Sequence, residues 1–466
     1  MRRAAAASLF TVLAACAYAP LEAVPMHGIE NKDLPITVNR DLDLLFLIDD
    51  SPSMADKQAN LAANFPKFIQ VLDTVQGGLP NVHIGVATSD LGTMGSADTA
   101  PGPTIGTIGA GGCAGVGKNG VLQLSGAPVT DVPFVSDLAQ PDGTRRKNYT
   151  GNLTDVFGTM ARVGAGGCGF EQHLQAVERA LDPANTPNAT FLRRNAYLAI
   201  IIIADEDDCS IAHSSLLEAN ESGPLGPRQS FRCTKFGVLC EQGGATTDAM
   251  GQVGTKAACH PNDGSAYLSN VAATAAFVKG LKADPRQVIV AGIMGPTEPF
   301  ATELRVPPGT TTAIPALAHS CTYVGGDGTP EVADPAVRLQ AFLDEFGDRG
   351  TFVPICQRDL SSGLQQIGGL LKSVIGDPCV EGTLIDVDPQ SSGAQYECTV
   401  EVKTGATTTA LPRCNPEDAS ATNQPCWRLV TDAAACPNSE HFLLKVEGQE
   451  TLFLDAHVVA SCFTTP

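Results

Sequence analysis

Two hydrophobic periods alternate along most of the chain. Short continuous apolar runs at Leu42–Ile48, Val82–Thr88, Leu198–Ala204, Gln287–Ile293 and Thr351–Ile355 read as strands buried on both faces. Between them, apolar residues recur at helical spacing. Met54, Leu61, Phe65, Phe68 and Leu72 share one face, as do Phe170, Leu174, Val177 and Leu181. Leu268, Val271, Ala275, Val278 and Leu281 make a third stripe, Val337, Ala341 and Phe346 a fourth, and Leu360, Leu364, Ile367, Leu371 and Val374 a fifth. Pro66 is expected to kink the first helix. Asp334-Pro335 has the cap and first-turn residues of a helix start, and Gly376-Asp-Pro378 those of a helix end. Strand and helix in alternation predict an α/β fold over residues 41–378, a doubly wound, mostly parallel, Rossmann-like sheet.

Three stretches interrupt this rhythm. Residues 90–148, 211–264 and 296–333 lack either period and read as long insertions, the first rich in Gly, Pro and Thr. Gly115-Val-Gly117-Lys-Asn-Gly120 and Gly112 to Lys118 imitate nucleotide-binding loops, but no buried strand leads in and no helix follows, so both are rejected. From Cys379 the texture changes. Thr383–Val387, Tyr396–Val402, Phe442–Val446 and Thr451–Leu454 are short runs between turn residues, which predict a small cysteine-rich antiparallel β module over 379–466. Residues 16–40, polar and proline-punctuated, read as a tether.

The start of the chain reads as an export signal over 1–15, with Arg2 and Arg3 ahead of the short apolar segment Ala4–Ala15. Leu13-Ala14-Ala15-Cys16 resembles a bacterial lipobox, which implies cleavage before Cys16 and lipidation of that cysteine. Cleavage after Ala19 is the alternative, with Pro20 set against it. Cysteine arithmetic fits the lipid. Of 15 cysteines, setting Cys16 aside leaves eight between Cys113 and Cys356 and six between Cys379 and Cys462, two even groups suited to disulfides in an oxidising compartment. A zinc site from Cys233, Cys240, Cys259 and His260 lacks the paired spacing of a zinc ribbon. The net charge is −20 with no basic cluster, which argues against nucleic acid and against a membrane contact other than the lipid. The implied location is the bacterial cell envelope, lipid-anchored at the outer membrane.

Chemistry concentrates at two strand ends. After Leu44–Ile48, the residues Asp49, Ser51 and Ser53 arrive at every second position. After four isoleucines come Asp205, Glu206, Asp207 and Asp208. The carboxyl ends of strands are where open α/β sheets bind ligands. A carboxylate with two hydroxyls is a hard-oxygen set suited to Mg²⁺, Ca²⁺ or Mn²⁺, and a cation would relieve the repulsion of four adjacent acids. The plain alternatives are a helix capped by Ser51 or Ser53 and a solvated acidic loop. His83, inside a strand, reads as a packed residue.

Together the two motifs resemble the metal-ion-dependent adhesion site of von Willebrand factor type A domains, the family that includes integrin I domains. Asp49, Ser51 and Ser53 match the family's Asp-x-Ser-x-Ser and Asp205 its later aspartate. The resemblance implies a cell-adhesion protein in which these residues hold one divalent cation and leave a position for a carboxylate of a protein ligand. Where the family has a threonine ligand this chain has Cys168, a poor donor for hard cations. Glu171, Asp207 or water is expected to make up the set. A Cys168–Cys209 disulfide is the expected link between the two loops. No Gly-x-Ser-x-Gly elbow is present and no histidine sits in a catalytic context, so an enzyme is not expected. The rivals are an envelope scaffold with a purely structural metal and a secreted hydrolase using Asp205 with Asp207 or Asp208.

Overall fold

The structure, a computed structural model, describes residues 28–35, 40–75, 78–140, 142–307, 309–326, 328–376, 379–380, 382–388 and 390, and beyond these 396–404, 407–414, 425–433, 436, 440–447 and 457–465. The expected signal segment, Cys16 and the run Thr451–Leu454 lie outside the described residues.

All five apolar runs become strands of one sheet. Its members are β1 (Asp41–Ile48), β2 (Asn81–Thr88), β3 (Val135–Ala139), β4 (Arg145–Lys147), β5 (Tyr197–Ile203), β6 (Val288–Met294) and β7 (Gly350–Pro354), in the order β7-β6-β5-β1-β2-β3-β4. The first five in that order are parallel; β3 and β4 add antiparallel at one edge, so the sheet is mixed. Six helices pack on it: α1 (Ala55–Leu72), α2 (Leu153–Met160), α3 (His173–Leu181), α4 (Val271–Gly280), α5 (Val337–Asp344) and α6 (Ser361–Gly376). Alternate residues of β1 face opposite layers. Leu44, Phe46 and Ile48 pack with α1, α2 and α6, and Leu45 and Leu47 with α3, α4 and α5. The strands are buried on both faces, hence their unbroken apolar runs.

The structure departs from the sequence expectations at several places. Residues 90–148 are not structureless, since they supply β3 and β4. The buried Asp137 breaks the apolar pattern of β3 and is satisfied by the Arg145 guanidinium at 2.6 Å and by the Tyr149 hydroxyl. Helix α2, capped by the Asn152 side chain, follows and was not foreseen. Part of the expected tether, Gly28–Pro35, pairs antiparallel with His457–Thr464 as the border strand of a small sheet. Finally, Asp334 does not cap α5. The cap position is Ala336, and the first-turn Arg338 and Leu339 N–H groups donate instead to the remote Asp207 carboxylate at 3.0 and 3.1 Å. Pro66 lies inside α1, which continues past it to Leu72.

The second and third insertions together form a four-stranded antiparallel sheet from Val238–Gln242, Gly254–Pro261, Phe300–Arg305 and Ile314–Leu317, followed by a hairpin of Cys321–Val324 with Pro330–Ala333. The C-terminal part is antiparallel as expected, with a small core around Trp427, Leu444 and Val458. Seven disulfides link Cys113–Cys168, Cys209–Cys233, Cys240–Cys259, Cys321–Cys356, Cys379–Cys436, Cys398–Cys462 and Cys414–Cys426. Each of the two even groups closes on itself, and disulfides rather than zinc take up Cys233, Cys240 and Cys259. The expected Cys168–Cys209 bridge is corrected. Both sulfurs lie in one apolar cluster, but Cys168 bonds into the first insertion and Cys209 into the second. Among the described residues no helix is long and apolar enough to cross a membrane.

Candidate metal centre

The centre sits where the adjacent parallel strands β1 and β5 end. The Asp49 N–H donates to the Ile203 carbonyl at 2.9 Å, which carries the pairing one step beyond the strands and sets the two loops side by side. Asp49 Oδ1 accepts the Ser51 N–H at 2.7 Å, an Asx turn that swings the loop back over the sheet edge. Ser51 Oγ lies 3.1 Å from Ser53 Oγ, and Ser53 donates to Asp205 Oδ1 at 3.1 Å. Ser51, Ser53 and Asp205 are therefore one connected set of hard oxygens, and Asp49 anchors the loop that carries the two serines. Neither serine side chain caps the following helix. The acidic run is no solvated loop either, since Asp205 and Asp208 are buried.

The four acids divide their work. Asp208 accepts the Leu174 N–H at 2.9 Å and pairs with the Arg338 guanidinium at 3.0 Å, joining α3 to α5. Asp207 is committed to the start of α5, which corrects the expectation of Asp207 as an additional cation ligand. Glu206 faces Glu171, whose carboxyl is buried beside the centre. Burial, then the Glu206 and Asp49 carboxylates, raise Glu171 well above the usual carboxylate range; Glu206 is raised likewise by burial and then by Asp334, Asp205 and Asp49. Asp205 is pushed up to about 6 by burial and by Asp49, against the opposing pull of Lys57.

Several residues of the centre carried no motif. Lys57, on the first turn of α1 and only 1% exposed, forms an ion pair with Asp205 Oδ2 at 3.0 Å. It also pairs with Glu331 of the hairpin at 2.7 Å and donates to the Ser53 carbonyl at 3.0 Å. Its ammonium pKa is raised: burial works against the charge, but Asp205 and Glu331 outweigh it. His173 is fully buried, its Nε2 3.5 Å from Asp49 Oδ2 and neither ring nitrogen hydrogen-bonded. Burial again opposes its charge and Asp49 outweighs the burial, so its pKa is raised. Lys118, from the discarded phosphate-loop look-alike, pairs with the buried Asp50 at 2.6 Å and donates to the Val163 carbonyl at 3.3 Å. Gly167 crosses over Asp50, where a Cβ would come within 2.4 Å of the carboxylate, so glycine is required. Cys168 is buried in its disulfide, and Glu171 is the nearest hard donor on that turn.

The donor set fits a hard divalent cation on one further observation. Asp49 Oδ2 and Asp205 Oδ2 are buried oxygens without a hydrogen-bond donor, as are both nitrogens of His173. Orphaned buried polar atoms are costly, and a missing ion is one explanation for them. The competing feature is Lys57, which supplies one positive charge at Asp205.

A cleft of about 460 Å³ is lined by Ser53, Asp205, Glu206 and Glu171 of the centre. Its walls come from all three insertions, among them Ile105, Arg228, Phe231, Arg305, Leu317 and His319. His83 is the packed residue expected of it, bonded to the Phe191 carbonyl at 2.8 Å.

No family model matches the chain, and no curated protein matches it. Among solved structures it is similar to the pilus adhesin RrgA from Streptococcus pneumoniae, at 13% identity and a TM-score of 0.28, over 94% of this chain and 58% of that one. The chain thus spans less than two thirds of that adhesin's length, and a likeness at this level leaves the functional reading to the site itself.

Proposed function

We propose that the chain is an envelope lipoprotein whose central domain is a doubly wound von Willebrand factor type A-like domain, and that it adheres to a protein ligand through a cation-bridged carboxylate. Ser51, Ser53 and Asp205, with Asp49 behind them and Glu171 in place of the family's threonine, would hold Mg²⁺, Ca²⁺ or Mn²⁺. The cation supplies a Lewis-acidic position open to a ligand carboxylate. The chain's own groups do the rest. The Asx turn at Asp49 presents the two serine hydroxyls together, and Lys118 fixes Asp50 beneath them. One observation carries the reading: Asp49 and Asp205, on two loops at the ends of neighbouring parallel strands, each keep a buried carboxylate oxygen that accepts no hydrogen bond, and Asp205 is answered there by the Lys57 ammonium. An acidic protein approaching an acidic ligand needs such a bridge, because without it the net charges repel.

The test is capture of binding partners from envelope and extracellular material by the wild-type chain and by Asp49→Ala. Adhesion predicts partners retained in calcium or magnesium, released by EDTA, and absent from a variant that still melts cooperatively. Retention by both proteins in EDTA refutes it.

A further inference from the structure

We propose that the cleft above the centre is a receptor for an acidic peptide segment with two carboxylates, one directed to the cation and the other held by Arg228. The inference rests on the cation-bridged reading above. It starts from the insertions, which converge on one place. Ile105 comes from the first, Arg228 and Phe231 from the second, Arg305 and Leu317 from the third. Disulfides Cys113–Cys168, Cys209–Cys233 and Cys321–Cys356 tie each insertion to the central domain or to the loop beside the centre. Three long insertions thus wall one cleft that Ser53 and Asp205 of the centre also line, a shape suited to a narrow segment.

The charges select the segment's chemistry. Apart from Ser53, the lining contributed by the centre is acidic, from Glu171, Asp205 and Glu206. Two of the basic side chains on the walls are already used: Arg305 donates to Glu303 at 2.8 Å and to the Leu317 carbonyl at 2.7 Å, and His319 bonds Asp334 at 2.6 Å. Arg228 is half-buried, lines the same cleft, and has no hydrogen-bond or ion-pair partner among the described residues. A guanidinium left unpaired in a partly desolvated wall favours an anionic guest, and its planar fork suits a carboxylate. Phe231, Leu317 and Ile105 give the walls an apolar character that a peptide backbone with small side chains can cover. Outside, Leu304 and Val306 stand exposed on either side of Arg305, extending that apolar character toward the surface.

The probes are blocked, fluorescein-labelled peptides with two aspartates separated by zero to three glycines, and partners in which either aspartate is asparagine. Anisotropy is read in calcium with the intact chain and with Arg228→Gln, and calcium uptake by both proteins is followed by calorimetry. A charge-assisted contact predicts that wild type prefers the best diacid over both monoacids by about tenfold or more. Arg228→Gln should lose that preference, keep monoacid binding and take up calcium unchanged. The inference is overturned if calcium binds but wild type does not distinguish diacid from monoacid, or if the variant keeps the preference. If wild type takes up no calcium, or prefers the diacid equally in EDTA, the cation-bridged reading fails and this inference with it.

Discussion

Lys57 offers the sharpest perturbation, because among the described residues it is the positive charge paired with Asp205. It is 1% exposed, lies 3.0 Å from Asp205 Oδ2 and 2.7 Å from Glu331 Oε2, and belongs to the first turn of α1. Lys57→Met keeps the length and apolar stem of the side chain but leaves two carboxylates without a counter-ion. Removing one partner of a buried ion pair costs about 3–5 kcal/mol, since the remaining charge stays desolvated. At roughly 2 °C per kcal/mol for a domain of this size, the melting temperature in EDTA should fall by about 6–10 °C. A divalent cation restores positive charge at the same oxygen, so in millimolar calcium the deficit should shrink to less than half. Calorimetric melting of both proteins, with and without calcium, reads this directly. An unchanged melting temperature in EDTA would refute the ion-pair argument. A deficit identical with and without calcium would refute the claim that cation and lysine serve the same carboxylate.

Other expectations follow from the frame around the centre. Arg338→Leu removes the partner of the buried Asp208 and should destabilise by about 3–5 kcal/mol in urea unfolding; a loss under about 1 kcal/mol contradicts the joining role of that pair. Non-reducing peptide mapping should recover Cys113 linked to Cys168 and Cys209 linked to Cys233, and a peptide joining Cys168 to Cys209 overturns that pairing. Burial and Arg193 push His83 down to about 4, so the folded state stays neutral where the unfolded chain takes up a proton. Because the unfolded state binds more protons, stability should fall as pH drops from about 6.5 to about 4, by about 3 kcal/mol in total. His83→Gln should remove that part of the slope, and an unaltered pH profile would contradict it.

How much was legible in the chain depends on what each element had to satisfy. The five central strands were readable because burial on both faces leaves no choice but apolar residues, and β5 with its four isoleucines is the extreme case. The helices with broad apolar stripes were readable for the same reason. Strand β3 was not, because its inward Asp137 is paid for by Arg145 and Tyr149, partners eight and twelve residues away that no local pattern reveals. At the centre, Asp49, Ser51, Ser53 and Asp205 showed because their chemistry is concentrated in short motifs. Lys57, Lys118 and His173 did not, since a lone lysine on a helix or in a glycine-rich loop reads as solvated until the fold buries it. The acidic run was overread. Four adjacent carboxylates look like one ligand cluster, yet successive residues leaving a strand point in different directions, so Asp207 and Asp208 serve helix starts while Asp205 faces the serines.

The central claim is that oxygens from two loops surround one hard cation. The most direct measurement is an anomalous difference map from crystals of the intact chain grown in manganese. The account predicts a peak bounded by Ser51, Ser53 and Asp205, with the Lys57 ammonium drawn off Asp205 toward Glu331. A map with no peak there, and Lys57 still within 3.0 Å of Asp205, would contradict it.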